Sequence, residues 1–429
     1  MAGTSIRKYV GQKVAVVRWK PPATHYGDTD TFLAGTWDDE EGTGEADDTV
    51  LPGGVDASPC QQGGQVTGGD VQGEELRMWR YTVGVEARTL QQKVFNSLKR
   101  RSCTRVRGLT EAVQENSVGV WRIPESEDDP VPVFHLPHQG DVSDIQYVTR
   151  DSFIVGSGLG SVRLCRHTAE DALETVHCWD KVHSFTTGPA PCTSLACSGE
   201  QIASVGEDGK LIILHPNQKK PTRVLEGVGG CSLYAVMFVR THEVLTSSMQ
   251  GHLKLWDLRA SSPAKGLLFS PDQVAVCYLA GHPTQQHLVA AGGEDGTLAL
   301  WDMRNTAHPF TIIAAHTGPI CQVQFHPMAP EHLFTSGMDG QLLHWDASGS
   351  AKPIHMSHKA AQDVSGGSVT VWLGSEVSRG ATDTTSILQS PLPINSLDVE
   401  GPTLIAGSDS EAIYVLSDVL KKRNDSMVY

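Results

Sequence analysis

The stretch LVAAGGEDGTLALWDMR, residues 288–304, reads as one β-hairpin. An apolar run, LVAA, leads into a GEDG turn; the alternating run TLALW follows, and then Asp-x-Arg. Asp295-Gly296 supplies the left-handed backbone that a tight turn demands, and Leu298 and Leu300 point to one face. A lone hairpin is marginal in water, so this one needs neighbours to pack against.

The chain supplies them. LTSSMQGHLKLWDLR (245–259) precedes the hairpin and LFTSGMDGQLLHWDAS (333–348) follows it. Looser copies are QIASVGEDGKLIILHP (201–216), FIVGSGLGSVRLCRH (153–167) and TLIAGSDSEAIYVLSD (403–418). A seventh emerges when TFLAGTWDDE (31–40) and NSVGVWRIP (116–124) are rejoined. The Trp column runs Trp121, Cys165, Leu214, Trp256, Trp301, Trp345 and Val415, with steps of 44, 49, 42, 45, 44 and 70. A period in the forties that carries a Trp-Asp pair is the signature of a β-propeller blade. The sequence thus predicts an all-β, seven-bladed propeller built as a single domain over residues 5–418, with a tail at 419–429.

The chain resembles WD-repeat proteins throughout, and three copies keep the pair itself: Trp256-Asp257, Trp301-Asp302 and Trp345-Asp346. More narrowly, SVGEDGK, HPTQQHLVAAGGEDG, FHPMAPEHLFTSGMDG, HWDAS, INSLDV and SEAIYV resemble the small WD-repeat nucleoporins of the Y-shaped scaffold complex of the nuclear pore. The resemblance covers residues 5–40 and 116–418. It implies a structural subunit in the short arm of that complex, docked on an α-solenoid nucleoporin. It further implies roles in pore assembly and in nuclear transport of mRNA and protein, location at the nuclear envelope, and a place at kinetochores in mitosis.

Composition fits such a chain. Of 429 residues, 39% are hydrophobic, 19% are charged and 43 are Gly, as short turn-rich strands require. A net charge of −15 argues against the phosphate backbone of nucleic acid as a direct partner, and against an anionic membrane surface. Nine scattered cysteines without a Cys-x-x-Cys pair read as reduced thiols. The opening MAGTSIRKYVGQK lacks the apolar centre of a signal peptide, and no run of eighteen apolar residues occurs. The expectation is a soluble intracellular protein with no membrane insertion.

Taken in order, KVAVVRW (13–19) is the innermost strand of the first blade, and the segment before it has no repeat of its own. The last repeat ends at AIYVLSDVL without an outer strand, so residues 5–10 are expected to complete it and close the ring. Residues 41–115 interrupt the first blade between its second and third strands, a departure from the family. Their first half has nine Gly in 35 residues and reads as disordered. In the second, ARTLQQKVFNSLKRR places Leu90, Val94 and Leu98 on one helical face beside a basic run. A solvated insertion, or a mis-spliced stretch of the gene sequence, is favoured there over a partner helix or nuclear-localisation patch. Residues 347–392 read as a long Ser/Gly/Thr-rich connector before the last blade, with one strand-like run, SVTVWLG.

Candidate chemistry resolves into structure. His355 and His358 have ligand spacing, but no Cys, Asp or Glu cluster completes a metal site. GSGLG (156–160) lacks the Lys-Ser/Thr and the helix of a phosphate loop. Asp208, Asp295 and Asp339 occupy equivalent hairpin turns in different blades, where Asp serves the turn. Trp121, Trp256, Trp301 and Trp345 are repeat core residues by the same argument. In WD repeats a His such as His316 commonly joins a network with the turn Asp and the Trp, here Asp339 and Trp345. No enzyme, cofactor or metal is expected, so function must lie in binding. A permanent subunit should bury on the order of 2,000 Å² of surface, and loops near blades five and six are the expected contact. An alternative is a substrate receptor of a cullin-type ubiquitin ligase. WDLR (256–259) and WDMR (301–304) match the Trp-Asp-x-Arg box of such receptors, with Arg259 and Arg304 as contacts.

Overall fold

The computed structural model describes residues 5–10, 12–22, 30–37, 116–124, 129–169, 172–226, 231–260, 264–269, 273–350, 371–374, 377 and 382–420. These belong to one compact unit made of residues 1–37 and 111–429. The insertion read at 41–115, with Leu90, Val94 and Leu98, lies outside the described residues.

Among the described residues, 28 strands form seven four-stranded antiparallel sheets, the blades of a β-propeller. The inner strands are Lys13–Trp19, Val142–Tyr147, Cys192–Ser198, Leu233–Arg240, Val276–Gly281, Ile320–Phe325 and Ile394–Glu400. Each inner strand touches the next, and the seventh touches the first, which completes the ring. The sequence dictates this layering. Blades are covered on both faces, so second strands such as Thr31–Trp37 and Leu288–Gly293 are buried along their whole length and read as continuous apolar runs. Outer strands such as Val131–Pro137 are largely exposed.

The core lies in the seams between blades. Leu288, Leu298 and Leu300 of the fifth blade pack against Ile320, Phe325, Leu333 and Trp345 of the sixth. The seam between the first and seventh blades holds Val14, Val17, Phe32 and Trp121 against Ile405, Ile413 and Val415. All seven residues of the Trp column are buried, so Cys165, Leu214 and Val415 do the packing work of Trp with smaller volumes.

The seventh blade takes its outer strand from the start of the chain. Ser5–Tyr9 pairs antiparallel with Ala412–Leu416, Ser5 opposite Leu416 and Tyr9 opposite Ala412. The Arg7 guanidinium lies 5.3 Å from the centre of the Tyr414 ring across this joint. In the first blade Thr31–Trp37 pairs with Ser117–Arg122.

The structure corrects two boundaries. Residues 347–392 are not a connector throughout: Asp383–Gln389 pairs with Gln341–Asp346 as the outer strand of the sixth blade. Its sequence, DTTSILQ, is polar because five of its seven residues face solvent. Within the same stretch, Val371–Leu373 of the strand-like SVTVWLG forms a 3-10 turn. Trp372 is fully buried there and donates its indole N–H to the Pro330 carbonyl at 2.7 Å. At the other boundary, Val419 and Leu420 pack with the seventh blade's core, so the tail read at 419–429 begins later.

Candidate functional site

The polar residues singled out by the repeat are used inside the blades. In the sixth blade, His316 Nδ1 lies 3.0 Å from an Asp339 carboxylate oxygen, and its Nε2 lies 2.8 Å from the Thr335 hydroxyl. Trp345 donates its indole N–H to the same hydroxyl at 3.0 Å. Thr335 therefore joins His316 to Trp345, a link the sequence reading missed. Burial alone would raise the Asp339 carboxyl pKa, but hydrogen bonds from Gln341, His316 and Thr317 outweigh it and hold the pKa below the ordinary value.

The third blade repeats the arrangement with His183, Asp208 and Ser204, at 2.9 Å and 2.7 Å from the two ring nitrogens. Leu214 stands where Trp345 stands. Ser204 and Thr335 each precede the turn Asp by four residues, the one signal that could have found them. The fourth blade keeps half of the network, with Trp256 donating to the Thr246 hydroxyl at 2.9 Å. In the fifth, Asp295 is exposed and caps its own turn through the Thr297 N–H and hydroxyl, at 3.0 Å and 2.7 Å. Ala291 occupies the Thr335 position there, and the buried indole N–H of Trp301 has no acceptor. Trp121 packs edge-on against the His135 ring, centres 5.8 Å apart.

The acids that follow the Trp residues fix the next turn. Asp346 accepts the Ser348 N–H at 2.8 Å. Arg259 closes on Asp257 through Nε at 3.0 Å and Nη2 at 3.1 Å. Arg304 closes on Asp302 through Nε at 2.9 Å and Nη2 at 2.7 Å. Both guanidinium groups are thus engaged by the acid two residues before them.

A further cluster escaped the sequence reading. Arg18, buried on the first inner strand, donates to Asp144 of the second at 3.2 Å and to Gln322 of the sixth at 3.4 Å. Asp144 also accepts the Leu195 N–H of the third blade at 2.9 Å. Asp398 of the seventh accepts the Trp19 N–H at 2.8 Å and the Gln324 amide at 2.7 Å. Burial raises both carboxyl pKa values, and the Arg18 charge offsets part of that rise. Five inner strands are so tied around a cavity of about 410 Å³ lined by Arg18, Gln146, Tyr278, Gln322 and Asp398. The signal was a charge inside an inner strand, as in KVAVVRW, DVSDI and INSLDV. Desolvation of both charges offsets the attraction of an ion pair in such a place, so it adds little net stability.

Among the described residues, no group of three His, Cys, Asp or Glu side chains is placed to hold a metal, and no helix is long and apolar enough to cross a membrane. His355 and His358 lie outside the described residues. What faces solvent is a set of turns, loops and outer strands, a surface suited to binding.

Seven four-stranded blades, two of them with hairpins tied by His, Asp and Thr or Ser, define a WD-repeat β-propeller. The family described as WD domain, G-beta repeat matches residues 267–302 and 308–346. Human nucleoporin Nup43 is 34% identical over 336 residues, which cover 70% of this chain and 88% of the human protein. The mouse nucleoporin Nup43 is 30% identical with the same coverage of both chains. The nuclear pore complex protein NUP43 of Arabidopsis thaliana is 30% identical over 122 residues, 27% of this chain and 34% of that protein. The chain belongs to the Nup43 family of nucleoporins. These relatives give the ligase-receptor reading of Arg259 and Arg304 no support, and the closure of each Arg on its own Asp explains the box structurally.

Proposed function

We propose that this chain is a non-enzymatic scaffold subunit of the nuclear pore complex, and specifically of its Y complex. The observation that carries the reading is membership of the Nup43 family across 88% of the human protein's length. The geometry agrees with it: the repeat's His, Asp and Thr residues are spent on hydrogen bonds within blades, which leaves the surface of a rigid ring for partners. The partners are other Y-complex nucleoporins, chiefly an α-solenoid member of the short arm. Pore assembly, transport of mRNA and protein, location at the nuclear envelope and mitotic attendance at kinetochores follow from that place. Residues 5–418 act as one propeller, with 41–115 as an insertion in its first blade.

The test is affinity purification of the tagged protein from interphase cells at moderate salt, with quantitative mass spectrometry. Near-stoichiometric recovery of Y-complex nucleoporins is expected. Recovery of nucleoporins at background alone overturns the assignment.

A further inference from the structure

The second blade breaks the repeat's hydrogen-bonding rule on an exposed turn. Gly160 and Gly340 adopt the same left-handed conformation, φ 76° and 75°, in the hairpin turns of the second and sixth blades. The residue before Gly340 is Asp339, partner of His316; the residue before Gly160 is Leu159. His138 occupies the position of His316, four residues before its inner strand. With Leu159 in place of Asp and Val155 in place of Thr335, both ring nitrogens of the buried His138 lack a partner. Leu159, meanwhile, is 48% exposed. An internal cost has been accepted to set a large apolar side chain on the surface, and local rules are broken in this way at functional sites.

The adjoining segment carries a second anomaly. Nine positions separate His183 from Cys192, against four between His316 and Ile320. The longer loop carries Phe185, 45% exposed, on a turn closed by the Phe185 N–H donating to the Gly188 carbonyl at 2.9 Å. The His183 N–H donates to the Gly160 carbonyl at 3.0 Å, so the two segments meet at one end of the ring. The hairpin turns of the third, fifth, sixth and seventh blades, which share this end, are acidic. They carry Glu207, Glu294, Asp295 and Glu411 beside the acids already paired with His, and their one described Lys, Lys210, lies 3.3 Å from Glu226.

We propose that Leu159 and Phe185 form a docking seat for a partner protein's basic segment, which inserts an apolar side chain between them and sets its cations against the acidic turns. The charge of the turns selects a basic partner, and the paired apolar side chains select an anchor. The inference rests on the scaffold reading for the setting in which the partner is met.

Leu159→Asp is a discriminating variant, because it restores His138's missing acceptor while removing half of the seat. Wild type, L159D and F185S chains carrying the same tag are purified from cells, and melting temperature is recorded for each. A photo-crosslinking amino acid at position 185 of the otherwise wild-type chain identifies the segment seated there. The expected result is a melting temperature for L159D no lower than wild type and recovery of one protein reduced about tenfold or more in both variants. The crosslinked peptide should carry net positive charge with an aliphatic or aromatic residue at its centre. Undiminished recovery of every partner, or a crosslink to a neutral or acidic segment, overturns the proposal. Absence of nucleoporins from the wild-type sample itself would instead sink the scaffold reading.

Discussion

Trp301 is the most buried of the four repeat tryptophans, yet its indole N–H has no acceptor, because Ala291 stands where Thr246 and Thr335 stand in the neighbouring blades. A buried donor left unpaired costs more than the bond would contribute, so supplying the acceptor should stabilise the fold. Ala291→Thr is expected to raise unfolding free energy by about 0.5–1.5 kcal/mol in denaturant titration. No change would mean that the added methyl group crowds the seam by as much as the hydroxyl helps.

At the scale of elements, the two Trp-Asp-x-Arg turns differ in what their Arg shields. Asp257 is buried and sits directly across the sheet from the buried Glu243, whereas Asp302 is partly exposed and faces Leu288. Arg259→Ala should therefore lower the melting temperature more than Arg304→Ala, and equal falls would contradict the shielding argument. The turn at Val371–Leu373 gives a sharper test. Trp372 packs among Leu288, Phe325 and Leu333 in the seam of blades five and six. Trp372→Ala should cost about 3–5 kcal/mol, the range of a buried aromatic deletion. Loss of under 1 kcal/mol would show that the seam does not depend on this peg. These elements also mark how far the sequence could be read. Blade hairpins were legible because apolar alternation and the Asp-Gly turn are written locally, as in residues 288–304. Asp383–Gln389 was not, since an exposed outer strand carries no apolar pattern. SVTVWLG misled because β-branched residues promise a strand, while burial of one Trp decided the backbone. The Arg18 cluster was hidden for another reason: its members lie 126 and 304 residues apart in sequence.

Four histidines make the whole ring sensitive to acid. His138, His282 and His344 are buried, and desolvation lowers their pKa values to about 3, 4 and 4. His326 is lowered by burial as well. Its Nδ1 accepts the Ala329 N–H at 3.0 Å while Nε2 lies 2.7 Å from the Gly401 carbonyl, so the neutral ring ties blade six to blade seven. These groups stay neutral in the fold while the unfolded chain takes up protons below about pH 6.5. The contribution of His138, His282 and His344 is complete above that pH and is lost as pH falls towards about 4 for the latter two and about 3 for His138, at up to about 1.4 kcal/mol per pH unit for each. Asp208 and Asp339 have lowered pKa values, so their contribution is lost only under stronger acid. Denaturant unfolding at pH 7.0 and pH 5.5 should show the lower stability at 5.5; equal stability would mean the rings are solvated.

The pairing of Ser5–Tyr9 with Ala412–Leu416 has a consequence for the order of events at the ribosome. The seventh blade's outer strand, Ser5–Tyr9, leaves the exit tunnel long before its template, Ala412–Leu416, is made. At about 5–20 residues per second, the flank of the first blade waits roughly 20–80 s for the seventh. During that interval Val14, Phe32 and Trp121 face solvent or a chaperone, since Ile405, Ile413 and Val415 have yet to be translated. Vectorial synthesis can assemble the middle blades as they emerge, but the last seam can be sealed only once Ile405, Ile413 and Val415 have been made.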